Sequence, residues 1–156
     1  MSHLQEDPIM AEVAGIEKYR VILNPTDGSE VAERATEQAI FLAKATGAEL
    51  IVLHVVETSF AWYTGAFYQQ IIDELREFGE KVLQRAAELA EEKGVKARTL
   101  SVDGHSGTAI VRVAEREGAD LIVMGAVGRS MVEKALVGSV SHYVVRHAHC
   151  PVLVVK

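Results

Sequence analysis

Ala119-Asp-Leu-Ile-Val-Met124 runs straight into Gly125-Ala-Val-Gly128-Arg-Ser-Met-Val-Glu-Lys-Ala-Leu-Val-Gly138-Ser139-Val140-Ser141, and this stretch decides the fold. Its first part is apolar and of strand length, while its second opens on glycines and leads into a helix ending near His147. Pro151-Val-Leu-Val-Val155 then supplies a further strand. Strand, helix and strand in that order pair in parallel through a right-handed crossover.

The same alternation recurs toward the N-terminus. Residues 19–24 form a β-branched run stopped by Pro25, Asp27 and Gly28. Glu30–Thr46 sets Val31, Ala35, Ala39, Leu42 and Ala43 on one helix face, with Ser29 as N-cap and Gly47 as stop. The run at 49–56 is continuously apolar, which marks a strand buried on both faces. Ile71, Ile72, Leu75, Phe78, Val82, Leu83, Ala86, Leu89 and Ala90 form one stripe of a long helix over 68–93, ended by Gly94. A third strand at 97–102 and a third helix at 108–117, stopped by Gly118, complete the series. The expected fold is an α/β three-layer sandwich around a five-stranded parallel sheet. A polar leader, residues 1–17, precedes one domain spanning 18–156.

Composition narrows the partners. The 156 residues are 49% hydrophobic and 24% charged, with 16 basic against 22 acidic residues and a formal charge of −6. With no surplus of Lys and Arg to displace counterions, no nucleic acid and no anionic membrane is expected as a partner. The lone Cys150 provides no disulfide framework, and Glu6, Asp7 and Glu12 stand where a signal peptide would be basic. A cytoplasmic setting follows as the expectation. The apolar runs are too short to span a bilayer.

In an open doubly wound sheet, ligands bind outside the carboxyl ends of the strands, where strand order reverses. Two strand ends stand out: Pro25-Thr26-Asp27-Gly28-Ser29, and the G-x2-G-x9-G-S loop opened by Gly125. Gly125 and Gly128 allow close backbone approach, while Gly138, Ser139 and Ser141 sit where helix amides point outward. That pattern suits a polyphosphate, although glycines at strand ends also serve as plain turns. There is no G-x-G-x-x-G after the first strand and no G-x-x-x-x-G-K-[ST], which leaves dinucleotide and P-loop readings without support.

Together with Leu53-His54-Val55-Val56 and Cys150-Pro-Val-Leu-Val-Val155, these motifs resemble the ATP-binding branch of the universal stress protein family, over nearly all of 19–156. The resemblance implies a Rossmann-like fold of the adenine nucleotide alpha hydrolase-like kind, with sheet order 3-2-1-4-5, and a homodimer. It implies that Pro25, Thr26 and Asp27 border the adenosine, with Asp27 near the ribose or a phosphate-bound metal, and that Val55 contacts adenine. Gly125, Gly128, Arg129 and Ser130 would line ribose and phosphates. Gly138, Ser139, Val140 and Ser141 would give amides and hydroxyls to the phosphate chain. Ala126 and Val127 are plainer than the polar pair often found there. The implied cofactor is ATP, AMP or ADP, with Mg²⁺ or Mn²⁺.

The remaining candidates carry plainer readings. His54 lies in an apolar strand and reads as a hydrogen-bonded core histidine. Asp103-Gly-His-Ser-Gly107 is either a rim of the pocket or an ordinary connection. His147, His149 and Cys150 are the nearest approach to a metal cluster, but so close in sequence they do not converge easily. The aromatic stretch at 60–68 is either a lid or packed on its own helix. The function expected is an ATP-binding, dimeric regulatory module of the stress response. Its dimer would form through the apolar edge strand Val152–Val155. The alternative is a slow Mg-dependent ATPase or phosphotransferase.

Overall fold

The structure is a computed structural model and describes residues 19–60, 65–128 and 137–156. The leader at 1–17, Trp62 and Tyr63 of the aromatic stretch, and Arg129 and Ser130 of the glycine loop lie outside the described residues. In chain order the elements are β1 (Val21–Pro25), α1 (Glu30–Thr46), β2 (Glu49–Glu57), a 3-10 turn at Gly65–Phe67, α2 (Tyr68–Glu92), β3 (Ala97–Gly104), α3 (Ser106–Glu117), β4 (Leu121–Gly125), α4 (Ser139–His147) and β5 (Val152–Val155). The strands form one parallel sheet in the order β3-β2-β1-β4-β5.

Local chemistry accounts for the best-defined element. Ser29 is extended and its Oγ accepts the Ala32 N–H at 3.2 Å, so α1 starts there; Gly47, at φ 74°, ends it in the left-handed region. Alanines at 32, 35, 39 and 43 on its buried face bring the helix close to the sheet. On that face, α1 and α2 cover Ile22, Leu50, Val52 and Val123. On the other face, α3 and α4 cover Leu23, Ile51, Leu53 and Ile122. Burying each such side chain stabilises the fold by roughly 1.5–3 kcal/mol. Strand β2 is buried on both faces from Leu50 to His54, as its unbroken apolar run predicts.

Several boundaries differ from those read in the sequence. β1 spans Val21–Pro25 instead of 19–24, so the proline expected to stop the strand is its last paired residue, opposite Leu53. Bonding at that position uses the neighbours: Thr26 N–H goes to the Leu53 carbonyl at 2.8 Å. β3 extends to Gly104 because it is an edge strand, where Asp103 can turn outward and pair with Arg76 at 2.6 Å. Helix α3 begins at Ser106, two residues early, on a cap that comes from β2 (below). β4 starts at Leu121, because the Asp120 carboxylate turns back to accept the N–H groups of Arg20 and Val21.

Candidate functional site

Helix N-termini and strand ends meet at one end of the sheet in an open cleft. Its walls include Pro25, Thr26, Asp27, Val55, Gly125, Gly128, Gly138, Ser139, Val140 and Ser141, every described residue of the expected set. β1 and β4, whose connections leave in opposite directions, lie at its centre.

The crevice opens because β1 and β4 separate. Five residues of β1 pair with β2, but only Ile22 and Leu23 pair with β4. Thr26 directs its N–H to β2, so alternation turns Pro25 toward β4, where it has no N–H to give. The Asn24 side chain takes over, its Nδ2 donating to the Val123 carbonyl at 2.9 Å. Thr36 of α1 in turn donates to Asn24 Oδ1 at 2.8 Å, and both side chains are buried. The sequence reading missed this pair, whose one signal is a polar residue inside a β-branched run.

β2 outruns β1 and leaves backbone groups unspent. Leu53 gives its carbonyl to Thr26, so Val55, two residues on, faces the same side, where β1 has ended. Val55 N–H and C=O therefore open onto the cleft.

On the other side, α4 starts at Ser139 with no side-chain cap. Its first intrahelical bond is His142 N–H to Gly138 O, so the Ser139, Val140 and Ser141 amides have no partner within the helix. Ser141 differs from expectation. Its hydroxyl is buried and donates to the Ala126 carbonyl at 2.6 Å, with Gly138 O at 3.1 Å, so its proton is engaged within the loop. Gly138 N–H donates to the same carbonyl, and Ala126 N–H goes to Val155 at 2.7 Å. Ala126, unremarkable in the sequence, thus pins α4 to the tips of β4 and β5 through its backbone.

The loop after β1 is tied to itself. Asp27 Oδ1 accepts Ser29 N–H at 2.9 Å, and Thr26 Oγ1 accepts Gly28 N–H at 3.3 Å. A Cβ on Gly128 would stand 3.0 Å from Asp27 Oδ2, so glycine there lets the two loops approach. At Gly125 the neighbour is the first turn of α1: a Cβ would meet Val31 Cγ1 at 3.0 Å and the Ala32 amide at 3.3 Å. Helix packing therefore already calls for glycine at that position.

Of the secondary candidates, His54 is a core residue: Nδ1 donates to the Thr26 carbonyl at 2.9 Å, and the ring meets Phe78 edge-on. The 103–107 loop does reach the cleft, through Ser106. His147 stacks on Tyr143. Among the described residues no three His, Cys, Asp or Glu side chains gather as a metal site. Burial, and then the charge of Asp120, push the Cys150 thiol up.

Sheet order and crevice define a doubly wound α/β protein with an open cleft at the reversal of strand order, the place where proteins of this fold class bind ligands. The model of the Universal stress protein family matches residues 18–156, and the chain belongs to that family. It is 43% identical over 140 residues to Universal stress protein MJ0531 of Methanocaldococcus jannaschii, covering 88% of this chain and 82% of that one. Universal stress protein UspA from Lactobacillus plantarum superposes with a TM-score of 0.83 at 29% identity, over 90% of this chain and 100% of that one. A universal stress protein crystallised in complex with cAMP superposes at 0.66 with 27% identity, over 90% and 98%.

Proposed function

We propose that the chain is an ATP-binding regulatory protein in which nucleotide occupancy of the crevice alters contacts within a homodimer or with a protein partner. The observation that carries this reading is the pair of unspent backbone sets facing one cleft: Val55 N–H and C=O on the β2 side, and the α4 amides on the β4 side. A donor beside an acceptor suits the edge of an adenine ring, and an uncapped helix N-terminus suits phosphate. Pro25, Thr26 and Asp27 would border the ribose. Gly125 and Gly128 would floor the phosphate path, which Arg129 and Ser130 would also line. The relative in complex with cAMP supports an adenine nucleotide as the ligand class.

Asp27 is the one acidic side chain, and no Lys or Arg appears, among the described residues lining the cleft. Such a site fits Mg²⁺ or Mn²⁺ carried on the phosphates and completed by water and one carboxylate, the usual mode for these ions. With a charge of −6, attraction of a triphosphate has to come from amides, helix dipole and counterion instead of the overall field. ATP binding should therefore need Mg²⁺ or Mn²⁺ and respond weakly to bulk salt. Phosphoryl transfer requires several charge clamps and a positioned nucleophile, so the reading is a binding module.

The dimer would form at β5. The other edge, β3, is guarded by Arg98 paired with Glu49 and Glu117, and by Asp103 paired with Arg76. β5 presents only Val152, Leu153, Val154 and Val155, with Leu153 exposed. No helix among the described residues is long and apolar enough to cross a membrane, and the single Cys150 suits a reducing cytoplasm.

Denaturing the purified protein and identifying what it releases tests the reading. Release of an adenine nucleotide, or saturable binding of Mg-ATP by emptied protein, is expected, and an empty protein that Mg-ATP does not fill would sink it. Steady ADP production lost in Asp27→Ala would make the protein an enzyme instead. Sedimentation should give twice the chain mass, and a monomer at all concentrations would remove the dimer.

A further inference from the structure

Glu57 ends β2 and Ser106 opens α3, and the two are committed to each other. Glu57 Oε2 accepts both the backbone N–H and the hydroxyl of Ser106, each at 3.0 Å. Its Oε1 accepts the Ser59 hydroxyl at 2.5 Å and lies 3.3 Å from His105 Nδ1. Burial pushes this carboxyl up, but hydrogen bonds from Ser59 and Ser106 outweigh it and bring it below its ordinary value, so it is ionised at neutral pH. A carboxylate only accepts, so the single proton of Ser106 Oγ must point at Glu57. What Ser106 has left is a pair of acceptor sites.

Ser106 lines the cleft on its β2 side, with Val55 and Ile110, while the free amides of α4 lie on the β4 side. A nucleotide with its phosphates at α4 would bring its base to this end. We propose that Ser106, its proton held by Glu57, reads the 6-position of a bound purine, accepting from a 6-amino group and disfavouring a 6-oxo group. This rests on the nucleotide reading above and goes beyond it by naming a side chain that adds to the reading of the base by Val55. Two acceptors facing each other leave both without a proton, which a buried site penalises more than a missing contact.

The test compares three Mg-nucleotides on the full chain by calorimetry: ATP, purine riboside triphosphate, which has hydrogen at position 6, and ITP, which has oxygen there. Wild type should bind them in the order ATP, purine riboside triphosphate, ITP. In Ser106→Ala the preference for ATP over purine riboside triphosphate should shrink roughly threefold to tenfold, the worth of one hydrogen bond. Ser106→Thr, which keeps the hydroxyl, should restore it. Equal weakening of all three in Ser106→Ala, or a wild type blind to position 6, overturns the proposal. A wild type that binds none of the three overturns the nucleotide reading as well, so the two failures are distinguishable.

Discussion

The junctions after β1 and β4 flank the same crevice, yet they treat their helix N-termini in opposite ways. At residues 26–29 side-chain oxygens take up three of the local amides: Thr26 Oγ1 takes Gly28 N–H, Asp27 Oδ1 takes Ser29 N–H and Ser29 Oγ takes Ala32 N–H. At residues 138–141 the hydroxyl that might have capped α4 is spent backward on Ala126. The helix amides stay unspent. Satisfied donors make a rigid structural turn, and unsatisfied ones with an open cleft before them make a binding edge. Damage to the first junction should therefore appear as lost stability, and damage to the second as lost affinity.

The largest effect should come from Gly28→Ala. Gly28 sits at φ 79°, and an added Cβ would lie 2.8 Å from Val82 Cγ2 of α2. Left-handed strain of about 1–2 kcal/mol and overpacking of about 1–3 kcal/mol add to a loss of roughly 2–5 kcal/mol. Urea denaturation would measure it, and a loss below about 0.5 kcal/mol would deny the turn its structural role. Gly138→Val should behave in the opposite way. Gly138 has φ −77° and ψ 168°, so a side chain there meets no left-handed strain, but the position is buried and a branched side chain would press on the α4 amides beside it. Affinity for Mg-ATP should fall tenfold or more, about 1.4 kcal/mol, with the unfolding midpoint shifted less than in Gly28→Ala. A Gly138→Val protein with wild-type affinity would erase the contrast between the junctions.

The contrast also explains what the sequence makes legible. α1 was readable to the residue, because Ser29 and Gly47 cap it from within its own turn. The glycine loop was readable as part of the cleft because its spacing brings Gly138 and Ser139 back beside Gly125 and Gly128. What escaped depends on residues distant in sequence. Asn24 replaces a hydrogen bond that Pro25 cannot make to Val123, 99 residues away from Asn24, and no local pattern announces that exchange. Ser141 reads as a phosphate ligand until Ala126 is seen to occupy its proton. The start of α3 was missed because its cap, Glu57, lies 49 residues upstream of Ser106.

That third N-terminus sharpens the comparison, since α1 is capped by a serine that does not titrate and α3 by a carboxylate that does. Glu57 is drawn below its ordinary 4.5 by hydrogen bonds from Ser59 and Ser106, against the upward push of burial. A depressed folded-state value means that its contribution to stability is complete above the unfolded value and is lost as pH falls through the folded one. Wild type and Glu57→Gln should therefore differ by a constant margin at neutral pH and converge below about pH 4.5. The effect should be the smallest of the three, because the carboxylate is partly exposed and solvent screens it. Hydrogen exchange at the Ser106 amide localises it: protection should drop with acid in wild type ahead of protection at Ala32, whose cap carries no charge. Simultaneous loss at both amides would mean global unfolding, and the α3 cap would then have no titration of its own.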